Sequence, residues 1–142
     1  MTSKISVITQ AIVDLLRADP SLGLHDVFYG DVVGIPRVPA ASVIPGAKDR
    51  KYTQTGLQTT VDVSIDIIVF YSRVTDKQNI LKANDELAEA IEDALHVDNT
   101  LGGLVINGLV NGSEPGYVSK GKALFTAHRL TWNAKVKERI GV

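Results

Sequence analysis

The stretch from Thr59 to Tyr71 (TTVDVSIDIIVFY) most constrains what this chain can fold into. Val61, Val63, Ile65, Ile67 and Val69 fall on one side of an extended backbone, and Thr60, Asp62, Ser64 and Asp66 on the other. Alternation of period two marks a strand with one dry and one wet face. The pattern breaks at Ile68 and Phe70, where both sides become apolar. The second half of the strand therefore needs cover on both faces, from a helix, a second sheet or another subunit. At about 3.3 Å per residue the segment spans roughly 40 Å, long for a small domain.

Two amphipathic helices are available to cover it. Ser3 can cap a helix from about Lys4 to Ala18, in which Ile5, Ile8, Ile12, Leu15 and Leu16 make one apolar stripe. Asp19-Pro20 stops it, because proline disfavours helix in the residue before it. Thr75 or Asp76 can cap a second helix from about Lys77 to Leu95. Ile80, Leu87, Ile91 and Leu95 form its dry side, and Lys82, Asp85, Glu86, Glu89 and Glu92 its wet side.

The remaining segments read as strands and turns. HDVFYG (25–30) is a short strand, and GDVVGIPRVPA after it, with two prolines, is a turn or irregular edge. A second strand runs from Ala40 to Ile44 and ends at Pro45-Gly46. Residues 47–56 (AKDRKYTQTG) are polar and basic, and form an exposed loop or the tips of two long strands. Asn107-Gly108 is either a hairpin turn or part of a strand from Leu104 to Val110 with a bulge at Gly108, with Gly112 to Gly116 as the better turn. The last strand covers about Tyr117 to Lys135, and residues 137–142 are a loose basic tail. The order α-β-β-β-α-β-β predicts a single α+β domain over 1–142, a two-layer sandwich of a mainly antiparallel sheet with both helices on one face.

A chain of 142 residues is long enough to bury a core as one domain. Fifteen basic residues against sixteen acidic ones give a net charge of −1, so no bulk attraction to nucleic acid is expected. The distribution is uneven. From Asp76 to Asp98 seven acids face two lysines, a balance of −5; from Ser119 onward six basic residues face Glu138 alone, a balance of +5. These are two solvated faces, or else opposite-sign surfaces that suit head-to-tail contact between copies. With no cysteine there is neither a disulfide nor a thiolate metal site. No apolar run approaches the roughly 20 residues that span a bilayer, and the N-terminal run is cut by Thr9, Gln10 and Asp14. A soluble cytosolic protein is expected.

Catalytic patterns are missing. His25, His96 and His128 are too widely spaced for a zinc motif, and DALHVD (93–98) lacks the alternating ligands of a calcium loop. The glycines of GGLVING precede no Lys-Ser/Thr, and no serine sits in a GxSxG setting. Asp62 and Asp66 lie about 13 Å apart along a strand, too far for a carboxylate pair. No enzyme and no cofactor is expected. The segment Lys48, Asp49, Arg50, Lys51, Tyr52 mixes cations with an aromatic ring; it suits contact with a protein or with passing phosphates better than base readout.

The order of elements also resembles one family. ISVITQAIVDLL, GIPRVPAASVIPG, the basic segment, TTVDVSIDIIVFY, LKANDELAEAIEDAL and a closing strand ending in LTWNAKVKER follow each other as in the tail-terminator proteins of long-tailed bacteriophages, also called tail-completion or head-to-tail joining proteins. The resemblance covers nearly the whole chain and rests on order, size and texture. It implies a structural virion protein, assembled in the host cytoplasm, that forms a ring of usually six subunits on the finished tail tube. Such a ring ends polymerisation and presents a surface to the head-completion or connector protein, with DNA passing through its lumen without sequence-specific binding. It implies no membrane partner. On that resemblance the contact residues expected here are Lys48, Arg50, Lys51 and Tyr52 toward the tube or lumen, Ile68 and Phe70 covered on assembly, and Glu86 and Glu89 against Arg129 and Lys135 between subunits. Another neck protein of the same class, or a small-ligand-binding α+β domain, are the alternatives.

Overall fold

The first helix, α1 (Lys4–Ala18), buries Ile8, Ile12, Val13 and Leu16 almost completely. Its buried Thr9 is accommodated because the hydroxyl donates to the Ile5 carbonyl at 2.6 Å. The computed structural model describes residues 4–32, 34–35, 37–52, 58–73, 81–120 and 123–139, with backbone alone at 4, 47–52, 58–60, 72–73, 81–84 and 137–139. After a short 3-10 turn (Pro20–Leu22) come β1 (Asp26–Tyr29), β2 (Ala40–Tyr52), β3 (Gln58–Arg73), α2 (Leu81–His96), β4 (Asn107–Lys120) and β5 (Ala123–Arg139). The predicted element order is the observed one. The assigned α2 begins at Leu81; the expected start near Lys77 and the caps Ser3, Thr75 and Asp76 lie outside the described residues.

The five strands form one sheet in the order β1-β2-β3-β5-β4, with the long alternating strand β3 at its centre. Both helices lie on one face. There Ile8, Ile12, Ala88, Ile91 and Leu95 share a core with Val61, Val63, Ile65, Ile67 and Val69 of β3 and with Leu130, Trp132, Ala134 and Val136 of β5. Each large side chain taken fully out of water contributes about 1.5–3 kcal/mol, so this one layer supplies most of the driving force.

One pairing departs from a sheet of hairpins: β1 runs parallel to β2, with Val27 opposite Ala41. A parallel neighbour requires the chain to travel back before the next strand starts. The helices occupy one face, and the return segment, residues 30–39, lies against the other. Its ends are pinned, since the Gly30 amide donates to the Val43 carbonyl at 2.7 Å and the His25 amide to the Pro39 carbonyl at 2.8 Å. Val32, Ile35 and Val38 from this crossover pack with Phe28, Ala40, Ile68, Phe70, Phe125 and Ala127 into a second apolar cluster.

Two expected breaks are not breaks. Pro45-Gly46 does not end β2; the ladder to β3 shifts register between Pro45 and Lys48 and continues to Tyr52. A Cβ on Gly46 would sit 2.7 Å from the Ser64 carbonyl oxygen, so this glycine answers a close backbone approach inside a bulge. Gly112 to Gly116 is likewise not a turn. β4 passes through it as an edge strand, where Pro115 costs the sheet nothing on its open side. The Asn107-Gly108 turn is absent too, and the bulge of this ladder falls between Val110 and Gly112 rather than at Gly108.

Candidate functional site

The second face of the sheet, away from the helices, divides into two halves. Its upper half is the apolar cluster under the crossover. Phe70 is fully buried there and meets Phe125 edge-on, with ring centroids 5.8 Å apart. Ile68 is partly buried against the same cluster. Phe70 takes its cover from within the chain, in part from Val32, Ile35 and Val38 of the crossover. The sequence hides this because GDVVGIPRVPA has no periodicity, and its apolar residues do not announce a common face.

The lower half is polar. Asp62, Ser64 and Asp66 of β3 alternate with the buried valines and isoleucines, and Lys135, Asn133 and Thr131 of β5 stand opposite them in the ladder. Arg129 donates to Asp66 at 2.8 Å, and this contact, with a further pull from Glu114, holds the guanidinium pKa above its ordinary value. Lys135 is exposed in the row of Asp62. Asp62, Asn107, Leu109, Asn111, Asn133, Ala134 and Lys135 line an open depression of about 360 Å³.

Lys48, Arg50, Lys51 and Tyr52 do not lie in a loop. They belong to the far end of β2, paired with Val63, Val61, Thr60 and Thr59 of β3. Of the two expectations for 47–56, an exposed loop or the tips of two long strands, the course of β2 to Tyr52 matches the second, and residues 53–56 lie outside the described residues. On the other layer, Glu86 and Glu89 stand exposed on α2. The structure therefore separates the expected residues into four places: the end of the strands, the polar sheet face where Arg129 meets Asp66, the outer side of α2, and the cluster under the crossover.

The polar groups inside the domain do not converge on a pocket. His128 is buried, edge-on to Tyr71 at 5.7 Å between ring centroids, with Nε2 3.6 Å from the Asp85 carboxylate. The Tyr71 hydroxyl and His128 Nδ1 have no hydrogen-bond partner among the described residues. Burial, and then the charge of Asp85, push the Tyr71 hydroxyl well above its ordinary pKa. His96 ends α2 and accepts the Val110 amide at 3.0 Å through Nε2, which ties helix to edge strand. Asp98 organises the following turn, accepting from the Thr100 amide and hydroxyl and from the Gly102 amide, and its pKa is lowered by these bonds. Each histidine thus has a packing or hydrogen-bonding neighbour of its own, except the exposed His25. Among the described residues no group of three or more His, Cys, Asp or Glu is placed to hold a metal ion, and no described helix is long and apolar enough to cross a membrane.

The fold is shared with a known assembly component. A chain in the solved structure of the virion of a native gene transfer agent particle superposes with a TM-score of 0.55, covering 92% of this chain and 95% of that one at 22% identity. At that identity the likeness is one of fold. No family model and no curated protein sequence matches the chain.

Proposed function

We propose that this protein is a structural component of a phage-type virion, acting as a ring that caps the tail tube, ends its polymerisation and presents a surface for head joining. The observation that carries the reading is the shared fold over nearly the full length of both chains, with the partner chain drawn from a virion particle. Two features of the domain support it. Its strands are long, up to the 17 residues of β5, and the ladder rows beyond α2 offer an extended end for contacts. Its depressions are open ones at the surface, such as that of about 500 Å³ beside Val7, Tyr29 and Leu104, rather than enclosed apolar pockets.

In this reading the strand ends carrying Lys48, Arg50, Lys51 and Tyr52, and the α2 surface carrying Glu86 and Glu89, face the tube, the head-side connector or neighbouring subunits. DNA passes the ring without being read. The test is to disable the gene in the producing particle and inspect the intermediates by electron microscopy. Headless tails of abnormal length, corrected to uniform length by adding the purified protein, are the expected outcome. Tails of normal length beside DNA-filled heads lacking a connector-bound neck would place the protein on the head side instead. A full yield of infectious or transducing particles would end the virion reading.

A further inference from the structure

Each outer edge of the sheet is closed over part of its length and open over the rest. On β4 the Gly108 amide donates to the Asn99 carbonyl at 2.8 Å, and the Val110 amide to His96 Nε2 at 3.0 Å. These amides point away from β5, and the end of α2 with the turn after it closes the edge there. The bulge between Val110 and Gly112 advances the phase of β4 by one residue. Beyond it the backbone groups of Ser113, Pro115, Tyr117 and Ser119 point outward, and those of the residues between them toward β5. Pro115 falls at an outward position, where its missing N–H costs the ladder nothing. All four residues are exposed, and no strand among the described residues lies beside them.

The other edge has the reverse arrangement. β1 pairs only with Ala40 to Val43, where the Pro39 and Val43 carbonyls accept from the His25 and Gly30 amides. Between Pro45 and Lys48 a second bulge advances the phase of β2. From there the backbone groups of Lys48, Arg50 and Tyr52 point outward, and no strand among the described residues pairs with them on that side. Strand direction alternates from β2 through β3 and β5 to β4, so the two open edges run antiparallel. They also sit toward opposite ends of the sheet. Glu114 is in the row of Arg129 and Ile68, and Lys51 in that of Thr60. A second copy displaced along the strands by about 26 Å, the distance from Ile68 to Thr60 at roughly 3.3 Å per residue, brings open edge to open edge. The closed half of β4 and the short β1 then lie beyond the two ends of the contact.

We infer that β4 of one copy adds to β2 of the next as an antiparallel strand, with residues 113–119 alongside 46–52. Outward donors and acceptors then meet in pairs, Tyr117 with Lys48 and Ser113 with Tyr52, and Pro115 alone offers no donor. Two β4 strands side by side would carry that gap twice, whereas β4 against β2 carries it once. The occupant favoured at each open edge is therefore the other edge of a second copy. A contact between different edges is heterologous and propagates around a ring. It extends one sheet through all the copies and keeps every pair of helices on the same side. This names the subunit contact of the ring proposed above, and rests on that reading for what the ring does.

The test is a cross-link in the full-length chain, which has no cysteine of its own. In this register Gly116 faces Asp49 of the next copy at about 4.5 Å between Cα atoms, within disulfide reach. Inside one copy the same two positions are separated by β3 and β5, at least about 14 Å. A carbon added at Gly116 meets nothing within 4 Å. Gly116→Cys with Asp49→Cys is expected to give a ladder of covalent oligomers on mild oxidation, and neither single variant to do so. Tyr117→Pro adds a second proline at an outward position and spares the bonds to β5. It is expected to weaken self-association, followed by light scattering, by about tenfold, with the thermal midpoint of the dilute protein unchanged.

Three results overturn the inference: a double variant that forms no covalent oligomers, Gly116→Cys alone that forms dimers as readily as the double variant, or a folded Tyr117→Pro that associates like the wild type. The second of these would assign the edge to a pair of β4 strands. If Tyr117→Pro does not fold, the cysteine pair decides alone. The contact and the capping role fail separately. Oligomers that cross-link as described, from a protein that does not restore tail length, would leave the contact standing and remove the role. Tails restored to uniform length by a double variant that stays uncross-linked on them would do the reverse.

Discussion

Gly108 shows how one position can depend on a neighbour across the sheet. A Cβ built there would lie 2.3 Å from Cζ2 and 2.7 Å from Cε2 of Trp132, whose side chain is fully buried in the main core. The indole cannot swing away without displacing the core packed around it. Gly108→Ala is therefore expected to lower stability by about 1–3 kcal/mol, read as a reduced urea midpoint. Gly116→Ala, on the same strand with nothing within 4 Å of the added carbon, should stay within about 0.5 kcal/mol. Equal effects at the two positions would mean that Trp132 is free to move. Tyr71 makes a different case. Its hydroxyl pKa is raised in the fold, by burial and then by Asp85. Above the ordinary tyrosine value near 10 the unfolded chain loses this proton while the folded one keeps it. The native state then binds more protons, and stability falls as pH rises through that range. Tyr71→Phe is expected to fold at neutral pH with little loss, because the hydroxyl has no partner among the described residues, and to flatten the alkaline decline of the thermal midpoint. An unchanged decline in Tyr71→Phe would assign it to other groups.

Among the elements, the crossover of residues 30–39 carries the least expected role. It supplies Val32, Ile35 and Val38 to the apolar cluster on a sheet face whose lower half is wet, with Ile35 buried in the same cluster as Phe70 and Phe125. Phe70→Ala is expected to cost about 3–5 kcal/mol and Ile35→Ala about 2–5 kcal/mol. In Ile35→Ala, hydrogen exchange at the Gly30 and His25 amides, which pin the segment, should quicken more than exchange in α1. A loss under about 0.5 kcal/mol at Ile35 would show that the crossover only drapes over the sheet. The sequence made other elements plain. The stripes of α1 and α2 and the alternation of β3 are periodic over many residues, and periodicity survives any tertiary context. The need for cover over Ile68 and Phe70 was legible as well, but not its source, which lies in an aperiodic segment about 30 residues earlier in the chain. Pro45-Gly46 and Gly112 to Gly116 misled for one physical reason. Proline and glycine mark departures from a regular ladder, and a bulge or an open edge is as good a departure as a turn. The expected contact residues were grouped by sequence segment, whereas strand register groups them by row. That is why Arg129 and Lys135, both expected on one basic surface, occupy different electrical settings.

The whole molecule is nearly neutral, yet its charges are of two kinds. Some are engaged within the chain: Arg37 with Asp26 at 2.9 Å, Arg129 with Asp66 at 2.8 Å, and Lys120 with Asp31. The carboxylate of Asp31 is held below its usual pKa, chiefly by the bond from Lys120. In these pairs at least one partner is well exposed, 63% at Arg37, 57% at Arg129 and 62% at Asp31. Exposed pairs of this sort add little to stability and weaken in salt. Others, Lys135 and the α2 acids Glu86, Glu89, Glu92 and Asp93, have no side-chain partner among the described residues. Neither the fold nor an edge-to-edge contact should therefore depend strongly on ionic strength. At concentrations too dilute for self-association, raising salt from about one third to three times physiological strength screens only weak pairs. The thermal midpoint is then expected to move by no more than a few degrees. At high concentration the same change in salt should leave assemblies held by backbone hydrogen bonds intact. Because association adds its own stabilisation to the folded state, the midpoint should also become concentration-dependent, at low and high salt alike. The measurement is a grid of thermal scans over protein and salt concentration. A large salt effect at the dilute limit would mean that ion pairs across the strands hold the fold itself. A concentration dependence present at low salt and lost at high salt would mean that opposed charges, rather than paired strands, bring copies together.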